Sequence, residues 1–192
     1  MCRDLIFIHS AGKQDGDDGS SRFLARLETV LDGLFRIVAP EMPTPECPDA
    51  ELWLREIDRV VSNSKSDARP GAVLAGHSFG GSTILQYLGR NRKIYRDDNW
   101  LSAVFSISAP FWGLKDWEVA DFALSAPEIA ALQGLKNLYF CHSADDRIVP
   151  AEHQDAYADH FPHAGCIRLR SAGHLLSDGD ADDLIEKIAA FA

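Results

Sequence analysis

The sequence predicts a three-layer α/β fold, in which helices cover both faces of a mostly parallel sheet of about six strands. Short apolar runs alternate with amphipathic helical patterns along the whole chain. Several of the runs are continuously apolar and rich in Val, Ile and Phe, which is typical of strands buried on both faces. The 192 residues are 46% hydrophobic and 25% charged, the composition of an ordinary globular domain. We therefore expect one domain over residues 1–192.

The elements follow from the spacing of apolar residues. An apolar stripe from Phe23 to Leu34, which includes Val30, predicts the first helix, and the stripe from Trp53 to Val61 predicts a second that begins near Pro48 and Asp49. Residues Ser82 to Leu88 and Leu184 to Phe191 have helical patterns as well. The predicted strands are Leu5–His9, Leu34–Ala39, Ala72–His77, Leu101–Ser108, Leu138–His142 and Cys166–Arg170.

Two segments interrupt the strand–helix alternation, and each follows a predicted strand. Residues 10–20 form a loop rich in Gly and Asp, and residues 110–135 form a short cap-like insertion. Because ligands bind outside the carboxyl ends of the strands in such sheets, both segments should border a site. Trp112 and Trp117 in the insertion are candidates for a substrate-binding wall. The alternative is an amphipathic helix packed on the edge of the sheet.

Charge and composition exclude several classes of function. The chain has 19 Lys and Arg against 29 Asp and Glu, a net charge of −10, so binding to nucleic acid is not expected. The apolar stretch after Met1 is too short for a signal peptide or a membrane span, so we expect a cytoplasmic protein without membrane association. The four cysteines lie far apart, which favours free thiols, most of them buried, over a disulfide or a metal site.

The most informative motif is Gly76-His77-Ser78-Phe79-Gly80, a G-x-S-x-G sequence between an apolar strand and a helical pattern. This context predicts a sharp turn that exposes the hydroxyl of Ser78 as a nucleophile. Side chains at the two flanking glycines would clash in such a turn. The backbone N–H of Phe79, at the start of the helix, would then donate to a developing oxyanion. We expect His77 to be a packing residue, because its side chain should leave the turn away from Ser78.

An acid and a base follow the serine in the order Ser, Asp, His that this arrangement requires. Asp145 and Asp146 both follow the fifth strand, and the residues alone leave the choice between them open. His174 follows the last strand, and Gly173 would allow the chain to turn back over the sheet. His142 and three further histidines are interpreted as surface or helix residues: His153, His160 and His163.

The loop after the first strand is predicted to supply the second oxyanion donor. The backbone N–H of Ala11 is the candidate, with Ser10 as the weaker alternative. His9 and Ser10 in the same loop are predicted to contact the substrate.

The motif series Gly76–Gly81, Asp146–Pro150 and Gly173-His174 resembles the α/β-hydrolase superfamily. In the D-x-x-V-P pattern the acid stands four residues before the proline, so the resemblance implies Asp146 as the triad acid. The proline-rich stretch Pro40–Pro45 ahead of a helix with Trp53, the early loop and the chain length are similar to the small serine hydrolases related to retinoblastoma-binding protein 9. That resemblance implies a compact hydrolase with a minimal cap. One departure is His9-Ser10, where many members of the superfamily have His-Gly.

The expected function is a serine hydrolase that cleaves small esters or thioesters through an acyl-Ser78 intermediate, with no metal or organic cofactor. The expected partner is a small-molecule acyl substrate, and the expected state is a monomer or weak homodimer. An acyltransferase or a peptidase with the same triad, or a non-catalytic interaction protein on the same fold, is the alternative.

Overall fold

The computed structural model describes residues 2–67, 70–96, 100–176 and 180–192. These residues contain one six-stranded sheet in the order β2-β1-β3-β4-β5-β6, and every pairing within it is parallel. Each predicted strand is present, with ends that differ by no more than two residues. The strands are β1 (Arg3–Ile8), β2 (Phe35–Val38), β3 (Ala72–His77), β4 (Leu101–Ile107), β5 (Leu138–Ser143) and β6 (Gly165–Leu169).

Seven α-helices connect or flank the strands in the described residues. Asp49 caps α2 as predicted, because its side chain accepts a hydrogen bond from the Leu52 N–H at 2.8 Å. The helices are α1 (Ser21–Val30), α2 (Ala50–Ser66), α3 (Phe79–Arg90), α4 (Lys93–Arg96), α5 (Ala126–Leu132), α6 (Glu152–His160) and α7 (Asp182–Ala189).

The predicted stripe of the first helix was wrong at its end. Helix α1 stops at Val30, and Gly33 adopts φ 74° in the turn that follows. Val30, the last residue of the helix, is 53% exposed and Leu34, beyond the turn, is 44% exposed, while Phe23, Leu27 and Leu31 form the buried stripe.

Alternate strand residues face two separate cores, which gives the three layers that the sequence predicts. Ile6, Ile8 and Leu74 face the core that includes α2 and α3. Leu5 and Phe7 face the opposite core, which includes α1 and α7. The alternation follows from the two-residue period of a strand.

The order of the strands reverses between β1 and β3, and this is the place where a doubly wound sheet binds ligands. Ile8 at the end of β1 is in register with Gly76 near the end of β3. The loop that begins at His9 and the turn at Ser78 therefore emerge side by side from the carboxyl edge of the sheet.

The insertion over residues 110–135 begins with turns and a short 3₁₀ helix (Ala120–Phe122) and ends with α5. The amphipathic helix considered for Phe111 to Phe122 is absent from this described stretch. A role for the insertion as a cap stays a prediction.

Most of the four cysteines lie at the surface. Cys141 is the one buried thiol, whereas Cys2, Cys47 and Cys166 are exposed, so the expectation that most of the cysteines are buried was wrong.

Among the described residues, no helix combines the length and the apolar character needed to cross a membrane.

Candidate active site

Ser78 lies on a sharp turn between β3 and α3 with φ 53° and ψ −121°, a backbone conformation that non-glycine residues rarely adopt. The glycines on either side make this turn possible. A Cβ atom on Gly76 would lie 2.5 Å from the carbonyl oxygen of Gly80, and one on Gly80 would overlap the carbonyl oxygens of Ile8 and His9. The turn leaves Ser78 half-buried at the end of two otherwise buried elements.

The hydroxyl of Ser78 contacts the base that the sequence predicts. Nε2 of His174 lies 3.1 Å from Oγ of Ser78, and Nδ1 of the same ring lies 2.8 Å from Oδ2 of Asp146. An ionised carboxylate only accepts hydrogen bonds, so Nδ1 of His174 carries the proton and Nε2 is free to accept one from Ser78. The structure thus brings together three side chains that are 28 and 68 positions apart in the sequence.

Asp146 is held in place by its own loop. Its Oδ1 accepts hydrogen bonds from the backbone N–H groups of Ile148 and Val149, both at 2.9 Å. Burial opposes ionisation of this carboxyl group, but the bond from His174 and the two backbone donors outweigh it, so the pKa of Asp146 lies below its ordinary value. The second oxygen is therefore a carboxylate oxygen oriented toward the imidazole.

Asp145 has a different set of contacts. Its Oδ1 accepts hydrogen bonds from the hydroxyl of Ser143 at 2.5 Å and from the N–H of Gly173 at 2.9 Å. The hydroxyl of Ser143 accepts in turn from the N–H of Ala172 at 2.8 Å. Asp145 and Ser143 therefore hold the two residues that precede His174, and Gly173 makes the required turn with φ 60°.

The two backbone N–H groups predicted as oxyanion donors form no hydrogen bond with any described residue. One belongs to Phe79, the first residue of α3, where a helix leaves its N–H groups without an intrahelical acceptor. The other belongs to Ala11. Its neighbours are already engaged, because the N–H of Ser10 donates to Oγ of Ser20 at 2.9 Å and that of Gly12 to the carbonyl of Pro45 at 2.7 Å.

An open groove of about 810 Å³ begins beside this loop. His9 is buried and lines the groove, and its pKa is lowered by burial. The other walls come from the loops that follow β1 and β2. They include Lys13, Gln14, Asp15, Pro40, Glu41, Glu46 and Cys47.

Ser10, Trp112 and Trp117 do not line this groove. Ser10 is buried, and its hydroxyl has no hydrogen-bond partner among the described atoms. Trp112 packs against the rings of Phe79 and Phe122 at 6.2 and 5.3 Å between centroids, and its indole N–H donates to Ser82 at 3.0 Å. The ring of Trp117 packs against that of Trp112, with 5.5 Å between the ring centroids. The two tryptophans belong to an aromatic cluster over the start of α3.

Of the four histidines interpreted as surface or helix residues, His153 and His160 lie in α6 and His163 is exposed, as predicted, whereas His142 lies in the buried strand β5. His142 and His153 are both 2% exposed, and neither is a surface residue. His142 lies 4.0 Å from Asp146, and burial lowers its pKa to about 4. Nδ1 of His153 accepts a hydrogen bond from the N–H of Phe111 at 2.9 Å.

His9 and the loop over residues 10–20 were expected to border the site, and they line the groove, whereas its second wall, from the loop after β2, was not predicted. The hydrogen bonds of Ser20 and His77 were not predicted either. A groove at this position could have been predicted from the sequence, since loops that follow adjacent parallel strands meet at one edge of the sheet. Within the described part of the chain, no group of three or more His, Cys, Asp or Glu side chains is arranged to hold a metal ion.

The chain matches the model of the Esterase family, described as "Putative esterase", over residues 54–167. This range includes Ser78 and Asp146 and ends before His174. No curated protein is significantly similar to the chain.

Several solved structures have a similar fold. Est1E from Butyrivibrio proteoclasticus is 15% identical with a TM-score of 0.73, and the match covers 99% of this chain and 86% of that one. The ydeN gene product from B. subtilis is 18% identical with a TM-score of 0.73, and 98% of each chain is covered. The esterase domain from a Rhodothermus marinus protein is 18% identical with a TM-score of 0.72, and 99% and 85% are covered.

Similarity at this level of identity concerns the fold, and the fold is that of the α/β-hydrolase superfamily. The resemblance to the hydrolases related to retinoblastoma-binding protein 9 stays a prediction. Since the family match spans more than half of the 192 residues, the protein belongs to the Esterase family of α/β-hydrolases.

Proposed function

We propose that this protein is a serine hydrolase that cleaves small carboxylic esters or thioesters through an acyl-Ser78 intermediate. The observation that carries the proposal is the continuous line of hydrogen bonds from Ser78 through His174 to Asp146, built on a strained turn. Membership of the Esterase family supports hydrolysis of an ester bond.

The reaction begins with proton transfer from Ser78 Oγ to Nε2 of His174 as Oγ attacks the substrate carbonyl. The imidazolium that results is stabilised by the carboxylate of Asp146, which stays ionised. His174 then gives the proton to the leaving alcohol or thiol. In the second half, His174 takes a proton from water as the water oxygen attacks the acyl carbonyl. The C–Oγ bond then breaks to release the acid, and the imidazolium of His174 returns the proton to Oγ of Ser78.

The tetrahedral intermediates need donors for the oxyanion. The N–H groups of Phe79 and Ala11 have no acceptor among the described residues, and they flank the turn at Ser78 from α3 and from the loop after β1. A donor of this kind contributes about 10²- to 10³-fold to the rate. The engagement of Ser10 N–H with Ser20 favours Ala11 over Ser10 as the second donor.

The open groove beside His9 is the site we propose for the substrate. It opens between the loops that follow β1 and β2, and neither Ser78 nor His174 lines it, so the substrate would extend from the groove past His9 to reach Ser78. Its walls mix apolar residues with the charged side chains of Lys13, Glu41 and Glu46. An open groove suits small or extended esters. The proposed contribution of Trp112 and Trp117 is indirect, through the packing of Phe79.

The experiment is a comparison of p-nitrophenyl esters from acetate to octanoate, with wild type and Ser78→Ala. Wild type should turn over the short esters, and Ser78→Ala should lose about 10³-fold or more in kcat because the nucleophile is gone. Ser66→Ala removes an exposed serine at the end of α2 and should retain full activity.

Three other results of this experiment would change the proposed function. Turnover by Ser78→Ala at the wild-type rate would overturn the assignment of the nucleophile. Absence of turnover in wild type with every ester would favour an interaction protein on a hydrolase fold. Formation of a new ester in the presence of added alcohol, faster than hydrolysis, would favour an acyltransferase.

A further inference from the structure

His77, the residue before the nucleophile, has buried side-chain contacts that packing alone does not require. Its ring is fully buried, Nδ1 lies 2.7 Å from Oγ of Ser20, and Nε2 lies 2.7 Å from the carbonyl oxygen of His174. The ring of His77 also lies 4.9 Å from the ring of His174. One buried side chain therefore connects an early loop to the backbone of the proposed base.

The direction of each hydrogen bond follows from the chemistry of the partners. A carbonyl oxygen only accepts, so Nε2 of His77 carries the proton and donates to His174. Nδ1 is then the acceptor, and the hydroxyl of Ser20 donates to it. The remaining lone pairs of Ser20 Oγ accept the N–H of Ser10 at 2.9 Å. Burial lowers the pKa of His77 to about 3, which keeps the ring in this neutral form.

Ser20 stands at the N-cap of α1, where a serine side chain usually accepts a bond from the first turn of its helix. Here the side chain makes no capping bond. Its hydroxyl points instead to His77, and the whole residue is buried. Ser20 therefore does not stabilise the end of α1 with its side chain, and its hydroxyl instead binds His77, the residue before Ser78.

The two ends of the chain of bonds lie on the two loops that flank Ser78. One end is the N–H of Ser10, and the next peptide along presents the N–H of Ala11. The other end is the carbonyl of His174 itself. The loop of His174 is held from the preceding side by Asp145 and Ser143 through Gly173 and Ala172. The bond from His77 fixes it at the residue that carries the imidazole.

We propose that His77 is a positioning residue. Together with Ser20 it holds two loops in place on either side of Ser78: the loop after β1 that carries Ala11, here called the oxyanion loop, and the loop that carries His174. This inference rests on the proposed function, since it assigns His77 and Ser20 to the geometry of the transition state. Neither residue touches the reacting atoms.

The test compares Ser20→Ala with Ser64→Ala. Ser64 is likewise a buried serine whose hydroxyl donates a hydrogen bond, in this case to Asp4 near the start of β1. Both variants should lower the melting temperature. Ser20→Ala alone should lower kcat for p-nitrophenyl acetate by about tenfold and change KM by a smaller factor, because it frees the loop that presents the N–H of Ala11 to the transition state.

A second pair of variants tests the other half of the link. His77→Gln keeps a donor and an acceptor, whereas His77→Leu keeps neither. We expect His77→Gln to retain at least tenfold more kcat than His77→Leu, with folding checked by circular dichroism. Should His77→Leu fail to fold, the comparison of Ser20→Ala with Ser64→Ala decides alone.

The outcomes separate this inference from the proposed function. If wild type turns over ester and Ser20→Ala matches Ser64→Ala in kcat, the positioning role is overturned while the hydrolase stands. If wild type turns over no ester, the proposed function falls and the inference falls with it. A loss of kcat confined to Ser20→Ala and the His77 variants supports the inference.

Discussion

At the scale of single residues, Asp145 and Asp146 are adjacent in sequence and contact different parts of the site. The carboxylate of Asp146 is buried and accepts from the imidazole of His174. That of Asp145 accepts from Ser143 and from the backbone of Gly173, and these bonds hold its pKa below the ordinary value. One aspartate therefore meets the imidazole, and the other meets the backbone that carries it.

The substitution Asp146→Asn should lower kcat by about 10⁴-fold, because an amide cannot fix the tautomer or stabilise the imidazolium of His174. Asp145→Asn should lower kcat by about tenfold or less, because an amide oxygen still accepts the bond from Gly173. Steady-state kinetics with one ester measures both. A larger loss in Asp145→Asn than in Asp146→Asn would reverse the assignment.

At the scale of elements, the turn between β3 and α3 is fixed by close approach of three backbone segments. The carbonyl groups of Ile8 and His9 at the end of β1 fill the space where a side chain on Gly80 would lie. The first turn of α3 can therefore pack directly on the end of β1, which brings the loop at His9 next to Ser78.

Gly80→Ala should lower the free energy of unfolding by about 3 kcal/mol, since a methyl group must displace backbone atoms. Gly33→Ala is the matched control. Gly33 has φ 74° with open space around its Cβ position, so it should lose only about 1 kcal/mol from backbone strain. Urea denaturation measures both values. Equal losses would mean that crowding at Gly80 is relieved by movement of β1.

The strands were predictable because each is a short apolar run bounded by polar residues. Ala72–His77 coincides with β3, and the other five differ at their ends by one or two residues. The end of α1 was not predictable from apolar spacing, because Val30 and Leu34 continue the stripe in sequence although the last helical residue, Val30, is exposed and the turn at Gly33 separates Leu34 from the helix. The periodicity does not record where a backbone changes direction.

The candidate site was predictable where a motif carries it and not elsewhere. Ser78 lies in a local motif with a required strand and helix around it, and His174 is the one histidine after the last strand. The hydrogen bond from Ser20 to His77 joins residues 57 positions apart, and neither the residue types nor their spacing predicts it. The two tryptophans were predicted to line the substrate site, but neither lines the groove: Trp112 packs on Phe79, and Trp117 packs on Trp112.

At the scale of the whole molecule, several histidines are buried in neutral form within an acidic protein. Burial lowers the pKa of His77 to about 3 and that of His142 to about 4, and it lowers those of His9 and His153 as well. In the unfolded chain these histidines bind protons near their ordinary pKa of 6.5, which is a higher pH than the folded protein requires for protonating them. The folded state should therefore lose stability as pH falls below about 6.5.

His142→Gln should remove part of this dependence. Between about pH 6.5 and pH 4 the unfolded chain binds a proton at His142 that the folded protein does not, so stability rises with pH by up to about 1.4 kcal/mol per pH unit from this residue. Urea denaturation at several pH values should give a flatter curve for His142→Gln. His163→Gln removes an exposed imidazole and serves as the control. Curves for wild type and His142→Gln that run parallel would contradict the account.

Formation of an acyl-enzyme at Ser78 can be detected by intact-mass spectrometry of protein quenched within milliseconds of mixing with p-nitrophenyl acetate. We expect one added acetyl group on wild type, located at Ser78 by peptide mapping, together with a burst of p-nitrophenol of about one equivalent. The adduct should be absent from Ser78→Ala and should accumulate in a His174 variant that still acylates slowly. An acetyl group mapped to another residue, or ester turnover that persists in Ser78→Ala, would contradict this expectation.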